Sequence, residues 1–189
     1  MMFRAIKCPE RGIFTLNFIF RISYIIGTLG DVFMGRKYSK NVQKLIRKIK
    51  YQCKLLDVEF SLANSYSVYT KEGSSCYGFF SPPTALRRGT LRVGIADKPL
   101  EEWVLTLAHE YAHMMQWFNE DKLFMDYEKD DSLYYELEIK TEKQAFVILK
   151  ESGIRISESL KTRSRKYIRS VRENYLMTKK KSKRSSKKS

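Results

Sequence analysis

The sequence predicts an α+β domain, on three observations. Segments with period-two alternation, or rich in β-branched and aromatic residues, lie together between residues 58 and 96. Segments with apolar residues at helical spacing flank that zone, and the longest begin near residue 100. Strands and helices are therefore segregated along the chain rather than alternating, which argues against a doubly wound parallel sheet. With 189 residues, 43% of them hydrophobic, there is material for one real core plus appendages. The expected organisation is an apolar N-terminal extension over 1–34, a globular domain over 35–153, a basic amphipathic helix over 154–177 and a disordered basic tail over 178–189.

The extension is apolar from Ile13 to Gly30 and follows Arg4, Lys7 and Arg11, as in a signal or membrane anchor. Asn17 and Arg21 interrupt it, and an arginine near the centre of a bilayer span costs about 2.5–3.5 kcal/mol. Phe14, Leu16, Phe18, Phe20, Ile22 and Tyr24 share one parity, with Thr15, Asn17, Arg21 and Ser23 on the other. That alternation reads as a half-buried strand or hairpin.

Val42, Leu45, Ile46, Ile49, Cys53 and Leu56 then recur at helical spacing, with Ser39 or Asn41 as the cap. Strands are expected at 58–62, 66–70, 76–80 and 91–96, separated by the turn 71–75 and by Ser81-Pro82-Pro83. Pro99 opens a helix to Phe118, with Glu101 and Glu102 complementing its N-terminal dipole. Residues 119–131 read as acidic and irregular. A helix over 133–151 stops at Ser152-Gly153, and another covers 157–176, with Leu160, Ser164, Tyr167, Ile168, Val171 and Tyr175 on one stripe.

The net charge of +15 is concentrated at the C-terminus. Residues 161–189 hold thirteen Lys/Arg and one acid, Glu173, so +12 lies there and +3 in the rest. Such a density attracts phosphates and predicts nucleic acid as a partner, with no base specificity of its own. An anionic membrane surface, an acidic protein or a nuclear import receptor would answer to the same charge. Three cysteines, Cys8, Cys53 and Cys76, with no C-x-x-C, argue against a disulfide scaffold or a zinc ribbon. They suit a reducing compartment, so the expected location is cytoplasmic, with a nuclear or virion-associated one also compatible.

The chemistry is concentrated in His109-Glu110-Tyr111-Ala112-His113, which contains both histidines of the chain. On a helix, positions i and i+4 share a face, so both imidazoles can address one ion. Glu110 flanks the same site and can take a proton from metal-bound water, whose pKa the ion lowers toward about 7. Thr106-Leu107-Ala108 and Met114-Met115 are uncharged, as a buried helix requires.

The stretch T-L-A-H-E-Y-A-H-M-M resembles the extended signature of the zincin metallopeptidases. The resemblance implies a minimal zincin-like core, a Zn²⁺ cofactor and hydrolysis of peptide bonds by a water that Glu110 activates. It also implies a protein substrate added antiparallel to an edge strand, here 91–96. The third His of the metzincins is absent, which points to the gluzincin type, whose third ligand is a Glu on the next helix. Glu138 and Glu142 stand there at i, i+4, followed by Ala145, and the segment is similar to the E-x-x-x-(D/N)-x-x-A helix of ImmA/IrrE-like zincins. Glu138 would then ligate and Glu142 would orient an imidazole. The family's usual Asp or Asn is Glu142 here, so Glu142 itself is an alternative ligand, as is an Asp between Asp121 and Asp131. A hydrogen-bond donor for the oxyanion would come from Tyr127, Tyr134 or Tyr135, and Trp103 and Trp117 read as packing residues. Two rival readings are a nucleic-acid-associated or virion protein with a structural or vestigial zinc site, and a protease tethered to DNA by its tail.

Overall fold

The computed structural model describes residues 38–70 and 73–185. The expected N-terminal extension and residues 186–189 lie outside them. The first element is helix α1 (Lys40–Leu55), capped by Ser39, whose hydroxyl accepts from the Val42 N–H at 3.4 Å. Asn41 instead sends its amide to the Gly153 carbonyl at 2.8 Å. Val42, Leu45, Ile46, Ile49 and Cys53 form the buried stripe of α1, as their spacing predicts.

Five short strands follow: β1 (Val58–Ala63), β2 (Val68–Tyr69), β3 (Ser75–Cys76), β4 (Gly78–Ser81) and β5 (Gly89–Gly94). They form a three-stranded sheet in the order β1-β5-β4 and a separate β2-β3 pair. β5 runs parallel to β1, with Val58 opposite Gly89 and Ala63 opposite Gly94. It runs antiparallel to β4, with Gly78 opposite Val93 and Ser81 opposite Thr90.

The strand expected at 91–96 as an edge is therefore shifted to Gly89–Gly94 and lies at the centre of its sheet. Its burial explains the position: Leu91 and Val93 are fully buried, and a strand covered on both edges needs such residues. Gly94 ends it where the chain at Ser65 and Tyr66 crosses. A Cβ there would lie 2.7 Å from the Ser65 carbonyl oxygen. The segment expected as one strand over 66–70 keeps only two paired residues, and 76–80 divides at Tyr77 into β3 and β4.

Helix α2 (Leu100–Phe118) lies on β4 and β5, with Pro99 in the cap position. Trp103, Val104, Leu107, Ala108, Ala112 and Met114 are buried against the sheet and α1 in one core cluster. Residues 119–131, expected to be irregular, contain the short helix α3 (Lys122–Tyr127), because Asp121 caps it by accepting from the Leu123 and Phe124 N–H groups. A 3₁₀ turn (Asp131–Leu133) leads into α4 (Tyr134–Glu151), which packs on α2. Gly153, at φ 67°, turns the chain toward α5 (Glu158–Ser185).

The last helix corrects the expected boundary: α5 continues to Ser185, through most of the segment read as a disordered tail. Lys, Arg, Leu and Met are all good helix formers, so the pattern has no local breaker before Ser185. Among the described residues no helix is long and apolar enough to cross a membrane. Cys53 and Cys76 are buried thiols.

Candidate metal centre

Ala108 and Ala112 turn the small side of α2 to the core, and His109 and His113 project from it toward α4. Their rings are 4.8 Å apart between centroids, with planes at 80°. Ala145, fully buried on α4, has only a methyl group to place between the packed helices. Glu138, 1% exposed, sits opposite the two rings. Its Oε2 is 3.3 Å from His109 Nε2 and its Oε1 is 3.3 Å from His113 Nε2.

The other nitrogen of each ring is held from the same helix. His109 Nδ1 lies 2.8 Å from Glu142 Oε2, so its N–H donates to that carboxylate. His113 Nδ1 lies 3.3 Å from Thr141 Oγ1 and donates there. The threonine hydroxyl has its own acceptors in the Leu137 carbonyl at 2.8 Å and Gln116 Oε1 at 3.0 Å. Gln116 in turn donates to Gln144 Oε1 at 3.1 Å. With the Nδ1 hydrogens held there, each Nε2 faces Glu138; in the metal-free chain these nitrogens carry the hydrogens that bond its carboxylate, and a metal would take their place. One turn of α4 thus supplies Glu138, Thr141 and Glu142, which hold both imidazoles from two sides.

The electrostatics follow from burial and pairing. Burial alone would raise the Glu138 carboxyl, but hydrogen bonds and charge from His109 and His113 hold it well below the usual carboxylate range. Burial alone would lower His109, but Glu138 and Glu142 push it well above the ordinary imidazole value. Glu110 behaves differently: burial raises its carboxyl, although His109 and His113 oppose the shift. The Phe80 backbone N–H donates to Glu110, so this carboxylate lies between α2 and strand β4. Gly78 makes room there, since a Cβ would stand 2.8 Å from Thr106 Cγ2 and 3.1 Å from Glu110 Cγ.

His109, His113 and Glu138 form a buried group able to hold a metal ion, with candidate ligand atoms all within 4.8 Å of one another. Two imidazoles and one carboxylate are a donor set that suits zinc. A tetrahedral ion with bonds of about 2.0–2.2 Å keeps its ligand atoms about 3.3–3.6 Å apart. Each imidazole lies at 3.3 Å from its own oxygen of Glu138, while the group spans up to 4.8 Å, so its ligand atoms would draw together on an ion.

The other expected residues are placed elsewhere. Glu142 contacts the far nitrogen of His109 rather than the face that Glu138 shares. Asp121 caps α3 and pairs with Lys140, and Asp130 accepts from the Ser132 N–H, so neither joins the group. Tyr127 and Tyr134 pack on each other with ring centroids 5.8 Å apart, and Tyr134 also hydrogen-bonds Tyr167 beside the group. Trp103 is buried in the core against Tyr38, and Trp117 lies 6.2 Å from the Phe80 ring.

A further hydroxyl beside the group belongs to Tyr167 on α5. It donates to Glu138 Oε2 at 2.5 Å, and its ring meets His109 edge-on at 6.0 Å. Burial and the Glu138 charge hold this phenol well above its ordinary pKa, so it stays a donor. The stripe containing Tyr167 was visible in the sequence, but nothing local marks one of its aromatics as reaching back to α4. Thr141 could have been found by spacing, since it follows Glu138 by three residues. Arg163 of α5 also pairs with Glu102 at the start of α2, which fixes the basic helix against the centre. No protein-family model matches this chain, and neither a curated protein nor a solved structure matches it significantly.

Proposed function

We propose that this protein is a zinc-dependent metallopeptidase of gluzincin type. The observation that carries the reading is the convergence of His109, His113 and Glu138 with Glu110 one residue along the same helix. When bound, the ion would polarise the scissile carbonyl and lower the pKa of water in the site. With an ion bound, His109 and His113 would offer neutral Nε2 donors, because their Nδ1–H groups donate to Glu142 and Thr141. Glu110 accepts the proton of the attacking water and returns it to the leaving amine. Its burial-raised carboxyl suits a group that must take a proton and then release it. Tyr167 orients Glu138 through its hydroxyl. The substrate would be a protein segment laid along β4, the strand that borders α2 and ends the sheet.

A structural zinc site is usually closed by four protein ligands. Among the described residues the group offers three from His, Cys, Asp and Glu, which favours an open catalytic position. The decisive experiment compares wild type with Glu110→Gln. Zinc should remain at about one ion per chain in both, while peptide hydrolysis falls by at least about 10²-fold in the variant, as expected for a lost general base. Near-wild-type hydrolysis by the zinc-loaded variant would remove Glu110 from its role.

A further inference from the structure

Helices α4 and α5 run antiparallel, with Tyr167 meeting Glu138 at one end of their contact. At the other end they part around a groove of about 690 Å³, floored by Phe146, Val147, Ile154 and Ile156. Four cations, Lys150, Arg155, Lys161 and Arg165, stand along it. Lys161 pairs with Glu158, which Arg165 also attracts, whereas Lys150 and Arg155 make no ion pair among the described residues. The groove begins one helical turn from the metal centre on both helices, since Phe146 follows Glu142 by four residues and Ser164 precedes Tyr167 by three.

We infer that this groove docks an acidic, apolar segment of a partner protein. The floor requires apolar side chains, and 52% of Val147 is exposed while it is uncovered. The rim favours carboxylates, because Lys150 and Arg155 make no ion pair among the described residues and the single carboxylate of Glu158 faces both Lys161 and Arg165. The chain itself is an unsuitable occupant: residues 1–37 carry six Lys/Arg and two acids, and a second copy would bring +15. A nucleic acid would satisfy the rim but find one aromatic, Phe146, among the aliphatic Val147, Ile154 and Ile156, where stacking platforms need successive aromatic rings. That the docked segment belongs to a substrate rests on the peptidase reading; the docking itself does not.

The test is fluorescence anisotropy on the full chain with three probes: a peptide alternating Glu with Leu and Phe, the same peptide with Ser at the apolar positions, and a single-stranded DNA oligonucleotide. The alternating peptide should bind at least about tenfold more tightly than its serine counterpart. Val147→Asp should remove that advantage, and the Arg155→Glu/Arg165→Glu double variant should weaken both peptides. Val147, Arg155 and Arg165 are exposed, and zinc content should stay at the wild-type level in every variant, which separates loss of docking from loss of the metal centre. Equal binding of the two peptides, indifference to Val147→Asp, or displacement of the alternating peptide by DNA as effective as by unlabelled peptide would each overturn the inference. Loss of hydrolysis in Glu110→Gln with docking intact, or the reverse, would tell the two claims apart.

Discussion

At the scale of single residues, the two glutamates of α4 have been sorted by which imidazole nitrogen each one meets. Glu138 faces both Nε2 atoms, whereas Glu142 touches only the Nδ1 of His109. Zinc affinity should therefore fall most in Glu138→Gln. Glu142→Gln and Tyr167→Phe, which only disturb the orientation of a ligand, should each cost about 10–100-fold. Competition with a chromophoric chelator would rank all three, and a larger loss in Glu142→Gln than in Glu138→Gln would exchange the roles. The i, i+4 histidines and the glutamate between them were legible in the sequence because helical periodicity alone places them. The identity of the Glu138 partner was not. Tyr167 lies 29 residues further on, and its contact depends on how α5 crosses α4.

At the scale of elements, the boundaries of α2 agree with the sequence reading at both ends, because a proline opens it and an uncharged buried run continues to Phe118. The sheet was less legible. Its strands were recognisable by alternation, but the parallel pairing of β1 with β5 is a long-range choice that no local pattern encodes. The closeness of β4 to α2 has a specific requirement at Gly78, where a side chain would strike Thr106 and Glu110. Gly78→Val should destabilise the fold by about 1–3 kcal/mol, the usual cost of forced overpacking. It should also push β4 away from Glu110, so zinc-loaded variant should lose hydrolysis beyond what its stability loss explains. Denaturant melts and assays at a temperature where both proteins are folded would separate the effects.

At the scale of the whole molecule, the candidate metal-binding group joins α2 to α4, and Tyr167 adds α5 to the same point. An ion bound only by the folded chain stabilises it by about 2.7 kcal/mol when free zinc is a hundredfold above Kd. For a chain of this size that is roughly 5–11 °C in Tm. Chelation should therefore lower Tm by about that amount. The loss should grow with pH. In the metal-free protein the raised His109 is stabilising while protonated, fully so below the ordinary imidazole range, and that contribution fades as pH rises through its folded value. Calorimetry with and without chelator at several pH values checks both the size and the sign. A Tm that ignores chelation would leave the centre without a structural role for the ion.

The central position of β5 also sets an order in time. Pairing Ser81 with Thr90 closes a span of nine residues, whereas pairing Val58 with Gly89 closes 31. Loop-closure entropy makes the second about 1 kcal/mol more costly. During refolding the β4–β5 ladder should become protected first, with β1 added once α2 has covered β5. Pulse-labelled hydrogen exchange would then show late protection of the amides in Val58–Ala63. The helix that carries His109 and His113 and the strand beside it would be assembled before the sheet is complete.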